Sequence, residues 1–216
     1  MIRDRQPSQF KDRESAGKQL GDALREEGVD ADIVLAIPRG GLPLGRMVAD
    51  ALHVPLDIVA TQKIGAPNNP EFAIGAVAAD GSAWLNEEVI ERRGIDREYI
   101  ERVRSEEAEN AREKAETYRD DGSLPDLSGK TVVVVDDGVA TGATARACLS
   151  RVNAAAPERV IFAVPVGSPR AISDLEGLAD EVVCLSAPSV FHAVGQFYER
   201  FGQVTDEEAM AYLAEE

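Results

Sequence analysis

The stretch Thr131-Val132-Val133-Val134-Val135-Asp136-Asp137-Gly138-Val139-Ala140-Thr141-Gly142-Ala143-Thr144 decides the fold. Its first five residues are a β-branched run without polar alternation. Such a run predicts a strand buried on both faces, the pattern of a parallel sheet covered by helices. Two adjacent acids close the strand. A loop carrying Gly138, Thr141 and Gly142 follows, and from Ala143 to Ala155 the sequence reads as a helix. A strand, a short loop and a helix in succession are the repeating unit of α/β folds.

The same alternation extends in both directions. Upstream, Asp12 to Glu27 predicts a helix with Ala16, Leu20 and Leu24 on one face and Gly28 as its stop. Asp32 to Ile37 predicts a buried strand, Pro38-Arg39-Gly40-Gly41 a turn, Leu42 to Leu52 a helix and Val54 to Ala60 a strand. Gly65 to Pro70 is rich in turn residues and predicts a loop. Phe72 to Ala78 predicts a strand, with Ala83-Trp84-Leu85 as a short hairpin partner. Asp96 to Arg119 is a charged helix with a thin stripe of Ile100, Val103, Ala108, Ala111 and Ala115, the pattern of a solvated surface element. Asp120 to Pro125 breaks it.

Downstream, Arg159 to Val166 and Glu181 to Leu185 predict strands. Ser168 caps a helix that runs to Leu178, and a Thr205-x-x-Glu208 capping box opens a last helix reaching Ala214. The expected architecture is a doubly wound α/β fold: a parallel sheet of about five strands flanked by helices. A small hood and an extra charged helix complete it. A single domain is expected over 1–216, with a mobile loop and hairpin near 62–85, a helical insertion near 86–122 and a C-terminal elaboration near 186–216.

The decisive stretch also carries chemistry. Backbone N–H groups at a helix N-terminus bind anions, most often phosphate. Glycines let the backbone approach closely, and threonine hydroxyls add neutral donors. Two carboxylates just upstream suit a pair of sugar hydroxyls. Together these features suggest a phosphorylated sugar. The stretch lacks the lysine of a P-loop, and it is not GxGxxG. A purely structural turn would use one aspartate on the helix dipole. A second adjacent acid adds repulsion and desolvation cost that structure alone does not explain.

Val132 to Thr144 resembles the 5-phosphoribosyl 1-pyrophosphate (PRPP) binding signature of type I phosphoribosyltransferases: an apolar strand, two acids and a loop ending Thr-Gly-x-Thr. The similarity extends over most of the chain. It points to a stand-alone group of archaeal and bacterial members whose acceptor base is poorly defined, with a haloarchaeal source. The resemblance implies that Asp136 and Asp137 hold the ribose 2′ and 3′ hydroxyls and take part in Mg²⁺ binding, directly or through water. It implies that the loop from Gly138 and Val139 through Ala140, Thr141, Gly142, Ala143 and Thr144 binds PRPP, the last five residues holding the 5′-phosphate. Arg39, Gly40 and Gly41 would hold pyrophosphate, in a turn that in this family often contains a strained peptide. Lys63 would reach a phosphate oxygen or the leaving pyrophosphate from the mobile loop.

Hypoxanthine-guanine enzymes typically carry an acid at the position of Ala140. Its absence here brings the sequence closer to adenine-type enzymes and leaves Glu71 as a candidate acid or base. Phe191 or Tyr198 is the candidate base-stacking aromatic, against the plainer reading that both pack in the core. Trp84 fits core or a subunit interface better. His53 and His192 are isolated and read as structural. The expected activity is Mg²⁺-dependent transfer of 5-phosphoribosyl from PRPP to a nitrogenous base or similar acceptor, by a homodimer or higher oligomer. Two alternatives are a PRPP-sensing regulator acting through a protein partner, and reversed use of the site in phosphorolysis or hydrolysis.

Composition bounds the partners. The chain has 216 residues, 39 acidic and 23 basic, for a net charge of −16. That charge repels nucleic acid and anionic membrane, so neither is expected as a partner. No apolar run approaches the roughly 20 residues needed to cross a bilayer. Met1 to Arg5 shows charges with no apolar stretch behind them, so no secretory leader is expected. Cys148 and Cys184 lie in apolar surroundings without CxxC spacing and read as buried thiols of a cytoplasmic protein. Only five of the 23 bases are lysine. Acid-rich, lysine-poor composition suits a cytoplasm of molar salt, where the Debye length falls to about 3 Å.

Overall fold

The computed structural model describes residues 2–4, 9–118 and 124–214, with only the backbone described at 2–4 and 71. The elements in chain order are β1 (Ile2–Asp4), α1 (Arg13–Glu26), β2 (Ile33–Ala36), α2 (Leu42–Leu52), β3 (Leu56–Ile58), β4 (Thr61–Ala66), β5 (Asn69–Ala78) and β6 (Ala83–Leu85). There follow α3 (Glu87–Arg93), α4 (Arg97–Tyr118), β7 (Thr131–Val135), α5 (Ala143–Asn153), β8 (Arg159–Val166), α6 (Pro169–Leu175), β9 (Glu181–Ser186) and α7 (Asp206–Ala214). A 3-10 turn at Val194–Phe197 precedes α7.

The main sheet has the order β1-β9-β8-β7-β2-β3, and every pairing is parallel. It therefore has six strands rather than about five, because the short β1 pairs with β9 at the edge. Alternate residues of each strand feed opposite layers. Val133 and Val135 pack with Leu20 and Leu24 of α1 and with Leu44 and Val48 of α2. Val132 and Val134 pack with Cys148, Leu149 and Val152 of α5 and with Ile172 and Leu175 of α6. Burial on both faces is what a continuous β-branched strand requires. The caps follow the sequence: Asp12 accepts from the Ser15 amide, Ser168 from the Ala171 amide, and Thr205 and Glu208 form the box that opens α7.

A second, antiparallel sheet has the order β4-β5-β6. Here the turn-rich reading of Gly65 to Pro70 is corrected. Both strands run through it, and only Pro67 and Asn68 turn. Register shifts at Gly65 absorb the irregular residues, and a Cβ at Gly65 would lie 2.5 Å from the Pro70 carbonyl oxygen. The charged insertion is two helices, parted at Gly94 in the left-handed region. Nor is α4 a solvated rod: Ile100 and Ala108 pack on Ile64 and Val77 of the small sheet, and Ala115 packs on Ala36, Leu42 and Ile58 of the main unit. The expected break at 120–125 falls partly on residues 120–123, outside the described set, as does part of the Met1–Arg5 stretch.

No helix among the described residues is long and apolar enough to cross a membrane. Both cysteines are free and buried, and burial pushes each thiol up to about 12.

Candidate active site

Strand order reverses between β2 and β7, since β3 continues outward from one and β8 and β9 from the other. Ligands of doubly wound folds collect at the carboxyl ends of strands at such a switch. Here the two strand ends are in register, Ala36 opposite Val135, and the Ile37 amide donates to the Val135 carbonyl at 2.9 Å. The Pro38 turn leaves one end, and Asp136 and Asp137 leave the other.

The turn and the acid pair touch. A Cβ added at Gly40 would sit 2.3 Å from Asp137 Oδ2. One added at Gly41 would sit 2.6 Å from the Ile37 carbonyl oxygen and 2.7 Å from that of Val135. Only glycine fits either position, which leaves the backbone of the turn bare beside the carboxylates. The Pro38–Arg39 peptide is cis.

The carboxylates have different partners. Asp136 Oδ1 accepts from the Asp137 amide at 2.8 Å. Asp137 Oδ2 accepts from Arg13 Nε of α1 at 2.8 Å, both side chains being about one-seventh exposed or less. The Tyr198 hydroxyl donates to the Asp137 carbonyl at 2.6 Å. Burial raises the Asp136 carboxyl well above the ordinary range, and the Asp137 charge adds to it. Burial also raises Asp137, against the opposing pull of Arg13. Held this way, two adjacent acids can accept hydrogen bonds from two neighbouring hydroxyls, or hold a hard cation that offsets their repulsion.

The following loop is pinned to the main sheet and open at its end. The Val139 amide donates to Val166, and Ser168 donates to the carbonyls of Val139 and Ala140. Gly142, at φ +77°, turns the chain into α5. The first N–H groups of α5 have no partner within the helix, and Thr141 and Thr144 are exposed beside them. Free amides and hydroxyls so placed suit an anion.

The cations come from four elements. Arg39 pairs with Asp206 of α7 at 3.2 Å, and Asp206 also accepts from the Tyr118 hydroxyl at 2.7 Å. Lys63 lies on β4 rather than in a loop. It is opposite Ala76, which is opposite Trp84, so the three share a face. That face looks at α5: Thr61 Oγ1 lies 3.3 Å from Cys148 Sγ, and the Arg146 guanidinium stands over Trp84 at 4.9 Å. The remaining two are Arg13 and Lys114, neither anticipated from the sequence. Lys114 Nζ, half-buried on α4, donates to the Pro38 carbonyl at 3.5 Å. Burial and the neighbouring Arg39 charge push its ammonium below the usual lysine range.

Other candidates are placed differently. Tyr198 is buried between Phe10 and Phe201, at ring distances of 5.6 and 4.9 Å, and its hydroxyl serves Asp137. The expectation of a base-stacking ring at Tyr198 is corrected on that ground. Phe191 is half-buried against Phe197, on the segment whose Val194 abuts Gly138. Glu71 falls on β5, and its side chain lies outside the described residues. His53 closes α2, and His192 is exposed. Among the described residues no cluster of three or more His, Cys, Asp or Glu could hold a metal by itself. A cleft of about 710 Å³ lies between α1, α2 and α7, lined by Arg13 but by neither Asp136 nor Asp137.

Residues 9–201 match the phosphoribosyl transferase domain family. The chain belongs to that family. Two curated Mycobacterium tuberculosis sequences, from strains CDC 1551 and H37Rv and named only provisionally as phosphoribosyl transferases, are each 40% identical to it over 204 residues. That match covers 94% of this chain and 46% of theirs, so the chain spans about half the length of the curated relatives it matches. The solved structure of TT1426 from Thermus thermophilus is 45% identical with a TM-score of 0.81, covering 95% of this chain and 97% of that one. A Neisseria gonorrhoeae structure described with bound ppGpp shares the fold at 17% identity and a TM-score of 0.53, over 99% of this chain and 97% of its own. The phosphoribosyl transferase fold therefore accounts for the main sheet, the switch-point site and the antiparallel hood.

Proposed function

We propose that this phosphoribosyl transferase moves the 5-phosphoribosyl group of PRPP to a nitrogenous base or similar acceptor and releases pyrophosphate. One observation carries the reading: the acid pair, the bare Pro38–Gly41 turn and the open N-terminus of α5 meet at one switch point. Each suits one part of PRPP. The amides and hydroxyls of 140–144 hold the 5′-phosphate. Asp136 and Asp137 accept from the ribose hydroxyls. The backbone of Arg39 to Gly41 holds the diphosphate, with Lys63 closing from the hood.

In the reaction the bond from ribose C1 to the diphosphate oxygen breaks, and its electron pair leaves with pyrophosphate. The acceptor nitrogen supplies the pair for the new bond, and its proton passes to the departing pyrophosphate or to solvent. The site's task is alignment and charge compensation. Ala140 offers no acid or base, and Phe191 is the aromatic left to face the acceptor.

The donor set fits Mg²⁺. Asp136 and Asp137 are hard oxygen donors, and among the described residues Asp136 has no cationic partner within ion-pair distance. Mg²⁺ is commonly held by one or two carboxylates together with substrate phosphates. When bound, it supplies the positive charge that the diphosphate demands and this acidic chain lacks. The sensor reading gains no support from the fold or the relatives.

Calorimetric titration of PRPP, with and without Mg²⁺, tests the proposal. The expected result is magnesium-dependent binding that the Asp136→Asn/Asp137→Asn double variant loses, followed by pyrophosphate release when bases are screened. Absence of PRPP binding by the wild type overturns it.

A further inference from the structure

We propose that Lys114 of α4 is a second cation for the leaving group, binding the diphosphate presented at the Pro38–Gly41 turn. The inference rests on the transferase reading and assigns a role there to the inserted helix.

Three observations converge on it. Lys114 is aimed at the turn: its Nζ meets the Pro38 carbonyl at 3.5 Å, a long bond that leaves two of the three ammonium donors unaccounted for among the described residues. It also stands close to another cation, Arg39, in a partly buried setting where Asp206 and Asp136 pull the other way without pairing with it. Like charges brought together away from water repel, and an anion placed between them relieves that cost. Arg39 is already matched by Asp206 at 3.2 Å, whereas Lys114 has no carboxylate within ion-pair distance among the described residues. Finally, the helix is shaped for the approach. Ala115 is buried against Ala36, Leu42 and Ile58, and its small side chain lets this end of α4 lie close to the main unit. A lysine on a helix held that close reaches the turn.

A purely structural Lys114 would tie α4 to Pro38 and affect all ligands alike. A leaving-group cation would affect only ligands that carry the diphosphate. The test is therefore a split between two probes. Inorganic pyrophosphate and ribose 5-phosphate are each titrated, with Mg²⁺, into the wild type, Lys114→Met and Lys114→Arg, alongside PRPP. Methionine keeps the aliphatic stem and removes the charge. We expect Lys114→Met to weaken pyrophosphate and PRPP by about tenfold or more, the size of one lost charge-assisted contact. Ribose 5-phosphate should stay within about twofold, and Lys114→Arg should recover most of the loss. Equal weakening of both probes, or unchanged pyrophosphate affinity, overturns the role of Lys114 while leaving the transferase reading intact. A wild type that binds no PRPP overturns both. If Lys114→Met does not fold, Lys114→Gln is read against the same split.

Discussion

Removing Arg13 should expose the cost of holding two acids at the end of a buried strand. Arg13 Nε and Asp137 Oδ2 are 2.8 Å apart, with side chains 13% and 14% exposed. Taking one partner from a fully buried pair costs roughly 3–5 kcal/mol, most of it the charge left behind. Residual exposure brings the expected cost of Arg13→Met to about 2–3 kcal/mol. The sign with pH follows from linkage. Burial holds the folded-state pKa of Asp137 above its ordinary value even with Arg13 present. Without Arg13 it rises further. An acid with a raised folded pKa destabilises the fold when ionised, and that penalty fades as pH falls through the folded pKa. The deficit of Arg13→Met should therefore be largest at about pH 8 and shrink toward about pH 5. Urea unfolding at both pH values, in wild-type and Asp137→Asn backgrounds, measures this. In the asparagine background the Arg13 substitution should cost at least about 1 kcal/mol less. A deficit that ignores both pH and background would refute the reasoning. Arg13 would then act only through its packing on Phe201, 3.8 Å from the ring centroid, and its bond to the Gly202 carbonyl.

Three further outcomes are expected. Gly40→Ala should abolish PRPP binding and cost about 1–3 kcal/mol, because its Cβ displaces the Asp137 oxygen that Arg13 holds; Gly41→Ala should cost about 1–3 kcal/mol in thermal unfolding, because its Cβ meets two backbone carbonyls. Asp136→Asn should stabilise the ligand-free protein by roughly 1 kcal/mol at neutral pH while losing PRPP affinity, since burial and the Asp137 charge disfavour its ionised form; calorimetry of both properties checks it. With a net charge of −16, the melting temperature should rise between dilute buffer and about 2 M KCl, and an unchanged value would count against adaptation to molar salt.

The core strands and their caps were legible because local pattern and tertiary role agree there. The β-branched run Val132 to Val135 reads as a buried strand, and an adjacent acid pair at its end points to a site there. The β4–β5 ribbon was not legible. Gly65, Pro67, Asn68, Asn69 and Pro70 are all turn residues, yet the register shifts and the helix packed beneath keep the chain extended on either side of Pro67 and Asn68. Arg13 and Lys114 were invisible for another reason. Each is one basic residue on a helix full of charges, and only the way its helix docks gives it a role. Lys114 did leave a trace: it lies beside the Ala111 and Ala115 stripe and is one of only five lysines in an arginine-favouring chain. For Tyr198 the plainer of its two readings holds, since its ring is packed by Phe10 and Phe201.

The two ends of α4 are gripped by different bodies, and this makes the helix a lever. Near Ile100 it is fastened to the small sheet, and near Ala115 to the main one. Fifteen residues separate these grips, a span of about 22 Å along the axis. A tilt of about 10° about the Ala115 end would displace the Ile100 end by roughly 4 Å, and the ribbon's contacts with α5 at Thr61–Cys148 and Trp84–Arg146 oppose it. Lys114 sits near the main-unit grip, and Lys63 lies on the ribbon. One candidate cation therefore stands where the helix meets the main unit, and the other on the ribbon that the far part of the same helix supports.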